Sequence, residues 1–177
     1  MIQTLYPCFR HWSETGTLWI YSDPHFGDKD LATKTTRIPD EQQLANINCC
    51  VGRKDTLILL GDIGDPDIAA KLRGYKVLVC GNHDGSGAKY SNVFAEIYSG
   101  PIFISEKVLL SHERIDFPFA FNIHGHDHAK QDVDDHHLNV CSNIIGYKPV
   151  NFNQLIKAGT FSKVITLHRS TINKRAK

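Results

Sequence analysis

Short apolar, β-branched runs recur along the first half of the chain, each closed by turn residues: residues 18–22 (LWIYS), 56–60 (TLILL) and 76–80 (KVLVC). Runs this short and this uniformly apolar suit strands buried on both faces. The stretches between them have helical spacing instead. Leu44, Ile47 and Val51 recur three and four apart, with Pro39 and Asp40 placed to start a helix over 40–51. Asp65 and Pro66 can cap and begin a second helix that runs through Leu72 and stops at Gly74. The second half changes character. Residues 102–104, 108–111, 121–124, 138–142 and 164–168 read as strands, interrupted by one helix over 152–157 with Asn151 as its cap and Gly159 as its stop. An α/β half is followed by a β-rich half, and residues 173–177, polar and basic, read as a frayed, solvated tail.

At 177 residues, 41% hydrophobic and 22% charged, the chain can bury one proper core, and residues 1–177 are expected to form a single domain. Lys plus Arg (20) balances Asp plus Glu (19), so no global basic surface draws in extended nucleic acid or an anionic membrane. No apolar run has the length of a membrane span, and residues 1–10 carry Gln3, Pro7 and Arg10 rather than a signal-peptide core. A soluble, cytoplasmic protein is expected. The five cysteines (Cys8, Cys49, Cys50, Cys80, Cys141) are odd in number and lack C-x-x-C spacing, which argues against a disulfide framework and a thiolate zinc site. They read as inert packing.

Chemistry concentrates where the apolar runs end. Five short polar clusters follow in order: Asp23-Pro24-His25, Gly61-Asp62, Gly81-Asn82-His83-Asp84, Ser111-His112 and Gly125-His126-Asp127-His128. If the runs are neighbouring strands, these clusters meet in one crevice. Asp23 and His25, two apart in extended backbone, would leave one face together and grip one ion. Asp62, freed by Gly61, can offer an oxygen to each of two ions, although a Gly-Asp after a strand more often makes a turn or a cap. Asn82 can give a neutral carbonyl oxygen, leaving His83 to face a substrate and Asp84 to hold the other ring nitrogen of His83. An Asn-His-Asp-Gly turn would explain Asn82, Asp84 and Gly85, but not His83. His126 and His128 can aim at neighbouring ions, with His112 beside them. His124 reads as a strand residue that supports the site.

These clusters, in this order, resemble the calcineurin-like metallophosphoesterase superfamily, whose pattern D-x-H, G-D, G-N-H-D, H and G-H-x-H is met over about residues 18–130. The opening D-x-H-F-G, Asn139-Val140 and Gly146-Tyr147-Lys148-Pro149-Val150 are similar to its small bacterial and phage-type members. The chain departs from them after F-G, with Asp28, Asp30 and Arg37-Ile38-Pro39 where those relatives show His, Asn and an Arg-Pro. The resemblance implies an α/β, four-layer α/β/β/α sandwich of two mixed β-sheets flanked by helices. It also implies two divalent metal ions, one on Asp23, His25 and His128 and the other on Asn82, His112 and His126, bridged by Asp62, with His83 as general acid oriented by Asp84.

Mixed His, Asp and Asn ligation without thiolate suits Mn2+ first, with Zn2+, Fe or Ni2+ as alternatives. The expected reaction is hydrolysis of a phosphodiester or phosphomonoester of a small molecule, a nucleotide included, by a hydroxide bridging the ions. Asn82 and His83 would touch the substrate, joined by Arg37, which aligns with the family's Arg-Pro; Lys34 reads as surface. The loop of Asp132, Asp134 and Asp135 reads as solvated, as do His136 and His137, and the aromatics Tyr6, Phe9, Trp12 and Trp19 read as core. Two other readings stay open: a nuclease on short nucleic acid, and a metal-binding interaction scaffold without catalysis.

Overall fold

The computed structural model describes residues 16–29, 37–131 and 133–167. Among them, nine strands form two mixed sheets, an α/β sandwich with few helices. In the first sheet β1 (Leu18–Tyr21), β2 (Thr56–Leu59), β3 (Tyr75–Val79) and β4 (Glu96–Tyr98) run parallel, and β9 (Val150–Asn151) adds antiparallel to β1, in the order β4-β3-β2-β1-β9. The second sheet is β5 (Ile102–Ser105), β6 (Val108–Leu110), β7 (Phe121–His124) and β8 (His137–Asn139), in that order. Here β5 is antiparallel to β6, and β6, β7 and β8 are parallel. Tyr21, Leu59 and Leu78 stand level across three strands, so their polar clusters leave the sheet at one edge.

The uniformly apolar strands of the first sheet are explained by two cores. Leu18, Ile20, Ile58, Leu60, Val77 and Val79 pack on Val108, Leu110, Phe121 and Ile123 of the second sheet. On the opposite face Tyr21, Leu57, Leu59 and Leu78 pack under α1 (Asp40–Cys50), through Ile47, and α2 (Pro66–Ala69), through Ala69. The second sheet covers its outer face with polar chemistry. Asn122 accepts from Ile115 N at 2.8 Å and donates to Ser111 Oγ at 2.8 Å, and Asn139 donates to the carbonyls of Asp127 and Lys130 at 2.7 and 2.9 Å. The residues that meet these two side chains here, Ile115, Asp127 and Lys130, lie in loops.

Several elements differ from the expected ones. β4 and β9 are short and half-buried, with no apolar run to announce them. β8 starts at His137 and ends at Asn139, because Asn139 Oδ1 accepts from Cys141 N at 2.9 Å and turns the chain. Cys141 then makes an isolated parallel bridge with Ser22, which ties the two sheets together at their polar edge. Residues 164–167 alternate, with Val164 and Thr166 buried and Ile165 and Leu167 exposed, yet they are not a strand. Alternation here reflects a chain lying over the core. α2 is one turn, capped by Asp65, whose Oδ1 accepts from Asp67 N at 2.8 Å. α3 (Phe152–Lys157) is capped by Asn151, whose Oδ1 accepts from Gln154 N at 3.1 Å. Cys8, Asp30, Lys34, Asp132, His168, the first aromatics Tyr6, Phe9 and Trp12, and the tail 173–177 lie outside the described residues. No helix among those described is long and apolar enough to cross a membrane.

Candidate metal centre

Every cluster at the polar edge converges, but by a backbone that period-2 reasoning does not supply. Asp23, His25, Asp62 and His126 all adopt left-handed φ, at 55°, 45°, 53° and 67°. For non-glycine residues each such conformation costs about 1–3 kcal/mol and persists only where the surroundings over-determine it. Asp23 and His25 are therefore not extended, as the D-x-H spacing suggested. They turn inward on either side of Pro24, whose carbonyl is held by Gln43 Nε2 at 2.8 Å. Close approach needs two bare backbones. A Cβ on Gly125 would collide with Ser22 Oγ and Asp23 Oδ2, and one on Gly81 would collide with Asp62 Oδ1.

Asp62 stands at the middle. Its Oδ1 accepts from His83 N at 3.0 Å, which leaves Oδ2 facing His112 Nε2 at 3.6 Å and His25 Nε2 at 3.7 Å. On one side, His112 Nε2 lies 3.0 Å from His126 Nδ1 and 2.8 Å from Asn82 Oδ1. On the other, His25 Nε2 lies 3.2 Å from His128 Nε2, which is 3.8 Å from Asp23 Oδ1. Ligand atoms of Asp62, His112 and His126 all fall within 4.8 Å of one another, as do those of Asp23, His25 and Asp62. Two groups able to hold a cation thus share one carboxylate.

The donor set fits positive ions. His112 Nδ1 donates to the Leu60 carbonyl at 2.8 Å, and His128 Nδ1 donates to Asn143 Oδ1 at 2.9 Å. Both rings therefore turn a lone pair, not a hydrogen, into the site. Asp23 Oδ1 is buried and has no hydrogen-bond partner among the described residues. Asp23, Asp62 and Asp84 are 1%, 3% and 4% exposed, and burying three carboxylates together is costly without a compensating cation. The cleft above them, about 440 Å³, is lined by His25, Asp28, Asp62, His83, His126 and His128, with no Lys or Arg among the described residues. Burial holds His25 below the usual histidine range, against the opposing pull of Asp23 and Asp62, which keeps its ring neutral and able to bind a cation.

Two expected roles are corrected. Asp84 does not orient His83. Its Oδ2 accepts from Asp62 N and Gly81 N, both at 2.8 Å, and its Oδ1 from Ile63 N at 3.0 Å and Tyr90 OH at 2.9 Å. It is a clamp between the loops of Asp62 and Asn82, and burial together with Asp84 drives the Tyr90 hydroxyl well above its ordinary range, so that it stays a donor. His83 instead projects into the cleft with its side chain 69% exposed, its Nε2 3.9 Å from Asp62 Oδ2 and its ring against that of His25. Arg37 does not line the cleft either. Its buried guanidinium donates to the Pro24 carbonyl at 2.6 Å and to Asp40 Oδ1 at 2.5 Å, while Asp40 Oδ2 accepts from Gly27 N at 2.8 Å. Arg37→Ala is expected to cost about 3 kcal/mol in urea denaturation by stranding Asp40, with KM unchanged at saturating metal. A raised KM without lost stability would restore its substrate role.

His124 is a buried strand residue outside the centre, its Nδ1 3.0 Å from the Gly125 carbonyl. His137 is no loop residue: it opens β8, buried between Asp134 at 2.9 Å and Asp116 at 3.1 Å. Those groups line a second, larger cavity of about 610 Å³ with Phe117 and Asp135, on the loop-covered face of the second sheet and away from the convergent side chains. Trp19 is half-buried and bonded to Asp55 Oδ2 at 3.1 Å.

No known protein-family profile matches the chain. It is 27% identical over 173 residues to an uncharacterized protein, MJ1445, of Methanocaldococcus jannaschii, covering 84% of this chain and 94% of that one. Its fold is similar to the crystal structure of AQ665, a protein of unknown function from Aquifex aeolicus, with a TM-score of 0.68 and 24% identity over 80% of this chain and 98% of that one.

Sequence reasoning did not place Asn143 and Cys141 beside the site, where Asn143 Oδ1 and Cys141 Sγ lie 2.9 and 3.2 Å from His128 Nδ1. Asn143 fixes the His128 ring through Nδ1 and donates to the His128 carbonyl at 2.7 Å. The one signal was their place directly after the run Asn139-Val140, as that run enters the polar edge. Asn143→Ala is expected to weaken metal affinity about 10- to 100-fold, the usual effect of releasing a ligating histidine. Isothermal titration with Mn2+ reads this, and unchanged affinity would deny Asn143 that role.

Proposed function

We propose that this chain is a dinuclear-metal phosphoesterase of the calcineurin-like metallophosphoesterase type, hydrolysing a phosphodiester or phosphomonoester of a small molecule. The observation that carries the proposal is Asp62 Oδ2, placed between His25 and His112, with the Nδ1 hydrogens of His112 and His128 directed away from the site. Asp23, His25 and His128 would hold one ion, Asn82, His112 and His126 the other, and Asp62 both. When bound, the ions supply Lewis-acid polarisation of the phosphoryl oxygens and a nucleophilic water near neutral pH.

The chain's own residues supply the rest. Asn82 and the neutral imidazoles add no negative charge, so a bound pair keeps a net attraction for phosphate that the lining itself, without Lys or Arg among the described residues, does not provide. His83 faces the cleft with its ring free of Asp84, and in its protonated form donates a proton to the departing oxygen. The cleft is open and fits a small ester, and near-zero net charge disfavours a long polyanion.

The test compares bis(p-nitrophenyl) phosphate, p-nitrophenyl phosphate, a nucleotide panel and single-stranded DNA with Mn2+, Ni2+ and Zn2+. Hydrolysis of small esters, abolished by chelation and restored by Mn2+, is expected. Cleavage of DNA alone would make the chain a nuclease, and two bound ions with no hydrolysis would make it a scaffold.

A further inference from the structure

The hydrolysis proposed above uses no thiol, yet a buried thiol lies against two of its metal ligands. Cys141 Sγ is 3.2 Å from His128 Nδ1, and the sulfur, a His128 ring nitrogen and an Asp23 carboxylate oxygen all lie within 4.8 Å of one another. The backbone holds this placement. Cys141 bridges Ser22, Ser142 N donates to the Ser22 carbonyl at 3.0 Å, and Ser142 Oγ donates to the Asp23 carbonyl at 2.8 Å. A second observation, beside the thiol itself, suits a cation ligand. Asp23 Oδ1, on a side chain with 0% exposure, has no hydrogen-bond partner among the described residues.

We propose that Asp23, His128 and Cys141 form a thiolate-bearing metal position, overlapping the pair through Asp23 and His128, for a thiophilic divalent cation such as Cd2+ or Zn2+. Soft ions favour sulfur, whereas Mn2+ favours oxygen and imidazole, so each kind of ion selects a different arrangement of these ligands. On binding, the cation replaces the thiol proton, which leaves to solvent. The charges of Asp23 and the Cys141 thiolate then balance the ion. His128 links the positions. Its Nδ1 donates to Asn143 while Nε2 faces His25, and turning Nδ1 onto a metal beside Cys141 gives up the Asn143 bond. Asp23 and His128 cannot serve both arrangements fully, so a thiophilic ion displaces the pair. That exclusivity rests on the dinuclear reading above; the thiolate position itself does not.

The experiment titrates Cd2+ into metal-free, full-length protein and records the ultraviolet sulfur-to-cadmium charge-transfer band together with cadmium NMR, whose shift moves downfield with a thiolate ligand. Wild type is expected to show one thiolate ligand. Cys141→Ser and Cys141→Ala should each lose the band and bind Cd2+ more than about tenfold more weakly. Absence of sulfur ligation in wild type would overturn the proposal without needing any variant to fold. So would a band that survives in the Cys141 variants, since the thiolate would then belong to another cysteine. A parallel Mn2+ titration followed by EPR reports separately on the pair. Fewer than two Mn2+ ions per wild-type chain would defeat the dinuclear reading while leaving the cadmium result to stand or fall alone.

Discussion

Asp62→Asn is expected to abolish both metal positions and lower ester hydrolysis by on the order of 10³-fold or more, because a carboxylate shared by two ions contributes several kcal/mol to holding and polarising them. The side-chain geometry is preserved in this variant. The amide oxygen can still accept from His83 N, so only the charge facing His25 and His112 is removed. The metal-free variant should be no less stable than metal-free wild type, since one of three buried carboxylates has been neutralised. What disappears is stabilisation by metal. Wild type should gain about 2.7 kcal/mol per site at a hundredfold excess of ion over its dissociation constant, and the variant should not. Elemental analysis, thermal unfolding with and without Mn2+, and kcat/KM read the three effects together. Two retained ions with near-normal turnover would show that Asp62 does not join them.

His83→Asn should divide binding from chemistry. His83 lies at the cleft surface, donates only its backbone N–H to Asp62, and is no nearer than 3.9 Å through its ring. Both ions should therefore stay bound, and thermal stability should barely move. Loss of the proton donor should lower kcat by about 10²- to 10⁴-fold. The loss should shrink for esters with a good leaving group such as p-nitrophenolate, which departs without a proton, and be largest for alkyl esters. An equal loss for both leaving groups would move His83 from proton donation to substrate binding. Asp84→Asn provides the contrast. Its carboxylate accepts four hydrogen bonds from the Asp62 and Asn82 loops and Tyr90, so that variant should lose stability and metal together.

The parts of this architecture legible in the sequence are those where one physical signal dominates. Leu57 to Leu59 and Val77 to Val79 are apolar on both faces because one face meets the second sheet and the other the helices. Asp65 and Asn151 cap helices by the short-range bond their side chains allow. The grouping of His112, His126 and Asp62 followed from parallel strands ending level. Elsewhere tertiary contacts decided. Left-handed backbone at Asp23, His25, Asp62 and His126 is imposed by neighbours such as His126 N, which donates to Asp23 Oδ2 at 2.9 Å across 103 residues. Arg37 and Asp84 share their residue types with substrate clamps and catalytic partners. Only burial and the count of donors around them reveal their structural work. Cys141 looked like packing because no second cysteine stands near it in sequence, while its partners Asp23 and His128 come from elsewhere in the chain.

The most direct test of the account is anomalous diffraction from crystals grown with Mn2+. Two ions per chain are expected, on either side of Asp62, one against Asp23, His25 and His128 and the other against Asn82, His112 and His126. A single ion, or ions bound away from Asp62, would contradict it.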